Sequence, residues 1–258
     1  MLIIVPPSEA KRPPPDHGPP VDLDGLSFPA LTPTRRRILD AVIETSAEPD
    51  ALRRLYAGPT LAEEIARNTA LRDLATMPVL DVYTGPLHEG LDAATLSPAA
   101  RTRAERDLVV ASALWGAVRP RDRIPPYRVH VCSHLLGVDG LEPTWRAVLP
   151  DVLAEAAGDG LVLDLRSPSF QATGRPTGLA DRTLTVRVVD GAGDATRIGD
   201  VVAKRTRGQV ARYVLESGLH PEDPHELAGA LGERWPVVDL AAPSGRDRPW
   251  ILSLTAAG

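Results

Sequence analysis

Side chains able to grip or attack an anion gather at five points where the chain leaves an apolar run or enters a helix. Ser8 and Lys11 follow the run 2–5. Tyr83 and Thr84 follow 79–82. Arg119 and Arg128 bracket the path after the long run 108–118. Ser167 and Ser169 follow 161–165, and Lys204 and Arg207 stand where 198–203 meets a helical segment. Guanidinium groups hold carboxylates and phosphates through paired hydrogen bonds. A lysine among arginines is driven toward its neutral amine, the form that serves as base or nucleophile. Lys11, Tyr83 and Lys204 are therefore the candidate catalytic residues. Ser8, Thr84, Arg119, Arg128, Ser167 and Arg207 are the candidate phosphate- or anion-binding residues.

Two of these points have the most distinctive surroundings. The stretch 113–128 holds four arginines in a corner punctuated by Pro120, Pro125 and Pro126. Proline fixes φ and removes a backbone donor, so this path continues neither a helix nor a central strand, and the arginines are held in place. Lys204 and Arg207 have no acidic residue between Val201 and Tyr213. At a helix N-terminus, where free N–H groups add positive potential, unpaired cations call for an anion.

The elements that must position these residues follow from hydrophobic periodicity. Continuous apolar runs at 2–5, 79–82, 108–118 and 161–165 predict buried strands. Alternation at 127–132 and 184–189 predicts half-buried ones, the second entering a hairpin at Asp190-Gly191 with Gly191-Ala192-Gly193 at its tip. Late strands are predicted at 235–240 and 250–254. Between them lie helical patterns: one capped by Thr34 with Ile38, Leu39, Val42 and Ile43 on one face, one started by Ser97-Pro98, one around Trp145 interrupted by Pro150, and one following Lys204. Strands alternating with helices, with no repeat or flexible linker, predict a mixed α/β (α+β) fold with a central mixed sheet in a single compact domain over 1–258.

Composition narrows the function. The 258-residue chain carries a net charge of −5, whereas a sequence-independent nucleic-acid binder is typically basic; a local basic cleft is still allowed. Cys132, the single cysteine, forms no internal disulfide and reads as a small packed side chain in the 127–132 strand. The apolar N-terminal run is too short for a secretory signal and no run approaches a membrane span, so a cytoplasmic protein with no membrane contact is expected. His17, His88, His130, His134, His220 and His225 are scattered without metal-ligand spacing, and P-loop and Gly-x-Gly-x-x-Gly motifs are lacking. No metal is expected and no cofactor is indicated.

The motifs together resemble the peroxide-stress YaaA family of cytoplasmic bacterial proteins. Pro7-Ser8-Glu9-Ala10-Lys11 is similar to its Ser-Pro-Ala-Lys signature with one residue inserted. Val82-Tyr83-Thr84-Gly85 matches its Val-Tyr-Thr-Gly. The segment from Leu114-Trp115-Gly116 through Arg119-Pro120 and Asp122 to Pro126-Tyr127-Arg128 resembles its Leu-Tyr-Gly-Val-Leu-Arg-Pro-x-Asp and Pro-Tyr-Arg elements. Leu165-Arg166-Ser167 resembles its Leu-Ala-Ser, and Ala203-Lys204-Arg205-Thr206-Arg207-Gly208 its Ala-Lys-x-x-Arg-Gly. The resemblance implies a compact mixed α/β fold with a helix-hairpin-helix-like element. It also implies a role in peroxide stress through lowering of free iron, and binding of duplex or distorted DNA in a positively charged cleft. This chain has Trp115 for the family's tyrosine and Arg166 for its alanine.

Three functional readings follow. The family association predicts an oxidative-stress protein whose Arg119, Arg128, Lys204 and Arg207 contact phosphates of DNA or another phosphate-bearing ligand, with affinity falling steeply with salt. The reactive side chains from five distant segments favour, as the alternative, an enzyme acting on a small anionic metabolite, nucleotide-like or phosphorylated or carboxylated, in specialised metabolism among other settings. A structural scaffold is the third reading, under which charge substitutions at these positions change little beyond stability.

Overall fold

The computed structural model describes residues 1–245 and 248–256. Its strands are β1 (Leu2–Val5), β2 (Met77–Pro78), β3 (Leu108–Ser112), β4 (Gly116–Val118), β5 (Arg123–Ile124), β6 (Val162–Asp164), β7 (Thr183–Val189), β8 (Val237–Ala241) and β9 (Trp250–Thr255). Seven of them form one sheet in the order β4-β3-β1-β6-β7-β9-β8, while β2 and β5 make a separate two-stranded pairing. The inner strands β3, β1, β6, β7 and β9 are parallel, and β4 and β8 close the two edges antiparallel. This is the expected mixed α/β fold in a single compact domain. Parallel strands covered on both faces read as unbroken apolar runs, which is why β1, β3 and β6 are buried at every position.

The chain steps from β1 to β3 on one side and then to β6 on the other, so β1 sits where the strand order reverses. Loops leaving the carboxyl ends of neighbouring strands diverge at such a point and leave a crevice. Ser97 caps the helix Pro98–Asp107, its hydroxyl accepting from the Ala100 amide. Pro150 ends the helical pattern around Trp145 and restarts it, giving Leu141–Arg146 and Leu149–Ala157.

Several local expectations are corrected. Residues 79–82 form a turn of helix rather than a strand, because the β2–β5 pairing ends at Pro78 and the Val79 amide donates to Asp122 O at 2.9 Å. Residues 127–132 alternate in burial as a strand would but join no ladder. Instead Asn68 takes the place of a partner strand, accepting from the Arg128 amide at 2.9 Å and donating to its carbonyl at 2.8 Å. Cys132 is exposed, not packed. Asp190-Gly191 opens no hairpin: the Asp190 carboxylate accepts from the amides of Ala192 and Asp194 and turns the chain toward a helix, and β7 pairs with β9 in parallel. The first long helix runs Thr32–Ala47, which puts Thr34 in its first turn and not at its cap.

Candidate functional site

Five segments converge at the carboxyl ends of β1 and β6. They are the loop after β1, the start of the helix Pro86–Leu91, the path 127–131, the loop after β6, and the first turns of the helix Asp200–Ser217. Together they line a cavity of about 470 Å³ that includes Ser8, Glu9, Lys11, His88, Tyr127, His130, Ser167, Ser169, Lys204 and Arg207.

Lys11 is placed by backbone pairing. It bridges to Tyr83, the Arg12 amide donates to Val82 O at 2.9 Å, and the Thr84 amide donates to Ala10 O at 3.1 Å. Its Nζ then donates to the carbonyls of Ser8 (2.9 Å) and Glu9 (3.2 Å) and lies 4.3 Å from the centre of the Tyr127 ring. Burial and, next, the nearby Arg128 guanidinium bring its pKa down from 10.5 to about 7, against the opposing pull of Glu9 and Glu64. At neutral pH this amine is divided between its charged and neutral forms.

Beside it runs a chain of hydroxyls. Ser112 Oγ accepts from the amides of Leu114 (3.2 Å) and Trp115 (2.9 Å), which occupies both its lone pairs. Its hydrogen therefore goes to the Tyr127 oxygen at 2.6 Å, and the Tyr127 and Tyr83 hydroxyls are hydrogen-bonded to each other at 2.9 Å. Burial pushes Tyr127 up to about 12 and Tyr83 well above the ordinary tyrosine value, so both are protonated donors. The His88 ring stacks on Tyr83 at 5.2 Å, and burial lowers its pKa to about 4. Neutral His88 donates from Nε2 to Pro6 O at 3.2 Å, leaving Nδ1 as an acceptor.

The cations divide into paired and unpaired. Arg128 pairs with Glu9 at 2.7 Å, and Lys204 pairs with Asp200 at 2.6 Å. Arg207 donates from Nε to Val186 O at 3.2 Å; among the described residues no carboxylate lies within ion-pair distance of it or of Lys11. Beneath the loop after β6, Asp164 and Arg166 form a fully buried two-point ion pair with distances of 2.9 and 2.7 Å. Arg166 also donates to Phe170 O at 3.2 Å, bracing the turn that presents Ser167.

The nine sequence candidates fall into three groups. Ser8, Lys11, Ser167, Lys204 and Arg207 line the cavity, with Arg128 on its rim through Glu9. Tyr83 lies behind the lining as the end of the hydroxyl chain, and Thr84 contributes its backbone amide. Arg119 is elsewhere. The β3–β4 hairpin reverses the chain, pairing Val118 with Val110, so Arg119 returns to the amino end of β3. There its guanidinium donates to Arg106 O and stacks 5.1 Å from the centre of the Phe28 ring. A second correction concerns the basic junction: the helix begins at Asp200, so Lys204 and Arg207 lie inside it and not at its N-terminus, and Asp200 supplies the acidic partner. Tyr127, His88 and Glu9 were not singled out from sequence. Tyr127 lay within the Pro-Pro-Tyr-Arg motif, whereas His88 carried no spacing signal.

The molecule is thus an α/β protein with a lysine- and arginine-lined cavity at the carboxyl ends of its parallel strands. Residues 1–236 match the family model described as peroxide stress protein YaaA. The chain belongs to that family. It is 41% identical over 257 residues to the UPF0246 protein SCO2297 of Streptomyces coelicolor, covering 98% of each chain. A UPF0246 protein of Corynebacterium efficiens is 39% identical over 250 residues, covering 95% of this chain and 93% of the relative. Among the described residues no helix is long and apolar enough to cross a membrane, and no group of His, Cys, Asp and Glu side chains is arranged to hold a metal ion.

Proposed function

We propose that this peroxide-stress family member binds a small phosphorylated or carboxylated metabolite in the cavity and acts on it with Lys11. The observation that carries the reading is the pair of cations, Lys11 and Arg207, lining one cavity of about 470 Å³ with, among the described residues, no carboxylate within ion-pair distance of either. Arg207 supplies the anion hold, the neutral fraction of Lys11 supplies a base or nucleophile, and the Tyr83–Tyr127–Ser112 chain supplies proton donors beside it. Residence in the reducing cytoplasm is part of the same proposal.

Duplex binding is the weaker reading. Two of the four cations assigned to phosphate contacts are neutralised by Glu9 and Asp200, and a third, Arg119, faces away from the cavity. A phosphate-tracking surface needs a continuous run of unpaired cations.

Calorimetric titration with nucleotides, sugar phosphates and dicarboxylates, alongside plain and bulged duplexes at two salt concentrations, tests the assignment. Saturable binding of a small anion, lost in Arg207→Ala, is expected. Salt-dependent duplex binding with no small-anion response would overturn it in favour of DNA.

A further inference from the structure

Lys11 and Lys204 are the only lysines among the 29 cationic Lys and Arg residues of this chain, and both line the same cavity. Arginine has served everywhere else, including the buried Arg35 and Arg166, whose guanidinium groups make structural hydrogen bonds. An arginine holds a carboxylate or phosphate at least as well as a lysine does. What arginine cannot do is lose its proton and offer a lone pair.

The surroundings of the two lysines separate them. Lys204 is half exposed and its Nζ is tied to Asp200 at 2.6 Å. Among the described residues no carboxylate lies within ion-pair distance of Lys11, which donates to two backbone carbonyls, those of Ser8 and Glu9. A neutral amine has two hydrogens, and these two acceptors use both. The lone pair is then the remaining feature of Nζ. The Tyr127 ring borders it at 4.3 Å, and the Tyr83 hydroxyl lies behind that wall, hydrogen-bonded to Tyr127.

Resting on the small-anion reading above, we propose that Lys11 forms an imine with the carbonyl group of an oxo metabolite that also carries a carboxylate or phosphate. Nζ adds to the carbonyl carbon and the C=O π pair moves to oxygen, which takes up a proton. The nitrogen loses a proton, the C–O bond of the resulting carbinolamine breaks as the oxygen leaves as water, and the C=N bond forms. Oxo compound plus amine gives imine plus one water, with no oxidant or reductant. Arg207 and Lys204 hold the anionic end, setting the carbonyl toward Lys11 across the cavity. The two protons that the nitrogen releases are the two that the oxygen takes up before it leaves as water.

Reductive trapping tests this. The full-length protein is incubated with glyoxylate, with glyceraldehyde 3-phosphate, or with uncharged propanal, each with cyanoborohydride at pH 7.5, and analysed by intact mass and peptide mapping. One adduct per chain on the Lys11 peptide is expected with either anionic probe, absent in Lys11→Arg. Propanal should label that peptide about ten-fold less, because it lacks the charged hold. The wild-type peptide map reads the site directly even where the variant folds poorly. Adducts spread evenly over Lys11, Lys204 and the N-terminal amine, or no adduct with either anionic probe, would overturn the imine. Calorimetric binding of inorganic phosphate or succinate that persists in such a case leaves the anion cavity standing, whereas loss of both removes that reading too.

Discussion

Gly208 touches Leu87 so closely that the helices Pro86–Leu91 and Asp200–Ser217 cross backbone to backbone. A methyl group at Gly208 would overlap the Leu87 carbonyl and stand 2.8 Å from the Leu91 nitrogen, and one at Gly90 would overlap the Arg205 carbonyl. The contact has a functional consequence, because Leu87 precedes His88 and Gly208 follows Arg207. Two glycines therefore set the distance between the walls of the cavity that carry those two side chains.

Gly208→Ala is expected to force the helices apart. Overpacking against rigid backbone costs about 3 kcal/mol, at the upper end for an added methyl. Urea unfolding should show a lowered midpoint, and ligand binding should weaken in the folded fraction as His88 and Arg207 separate. A midpoint within error of the parent would show that the crossing is looser than the geometry states.

Lys11 makes stability depend on pH in the alkaline range. Its pKa is about 7 in the folded protein and 10.5 in the unfolded chain, so between those values the unfolded state binds more protons. Stability therefore rises with pH across that window, by at most about 1.4 kcal/mol per unit from this group. Arg128, Glu9, Glu64, His88, Tyr127 and Tyr83 are the charged or titratable groups that face it. Lys11→Met should remove this slope, seen as wild type gaining on the variant between pH 7 and 10. Parallel stability curves would place the ammonium form in the folded protein.

His88 acts on the acid side. Its pKa falls from 6.5 to about 4 on folding, chiefly through burial. Between those values the unfolded chain takes up a proton that the folded protein refuses, so stability is lost as pH drops from about 6.5 to 4. The full difference is about 3 kcal/mol. His88→Gln, with an amide N–H able to reach Pro6 O, should flatten that loss in denaturant titrations at pH 7, 5.5 and 4.5.

The sequence located the cavity better than it located the strands. Five of the nine candidate residues line it, because strand exits are legible as polar residues after apolar runs and those exits meet where the strand order reverses. The misread parts share a physical cause: backbone groups satisfied by something other than a ladder. Residues 127–132 look like a strand because Tyr127, Val129 and Val131 are buried in alternation, yet the Asn68 side chain, about sixty positions away, takes the hydrogen bonds. The Asp190 carboxylate does the same at the turn read as a hairpin. Such side-chain substitutes for a strand leave no periodic trace. Pairing of charges is equally hidden: Asp200 lies one residue outside the window that made Lys204 look unpaired, and Glu9 reaches Arg128 across the fold.

Arg119 and Arg207 offer the sharpest contrast, since both stood as anion-binding arginines in motifs of the same family. The β3–β4 hairpin carries Arg119 to the amino end of the sheet, where Asp107 and Asp122 lie close and Phe28 covers it. Arg207 reaches into the cavity from the second turn of its helix. Arg119→Ala should cost about 1 kcal/mol of stability through the lost stacking and hydrogen bond, and leave small-anion affinity within about two-fold of the parent. Arg207→Ala should do the reverse, lowering affinity about a hundred-fold with little change in unfolding midpoint, because a charged hydrogen-bonding partner of the ligand is removed from a site already partly open to water. Arg207→Lys should recover only part of the loss, since one ammonium replaces a two-point fork. Equal affinity losses at positions 119 and 207 would mean that the ligand spans both ends of the sheet, a length that suits a nucleic-acid strand and not a metabolite.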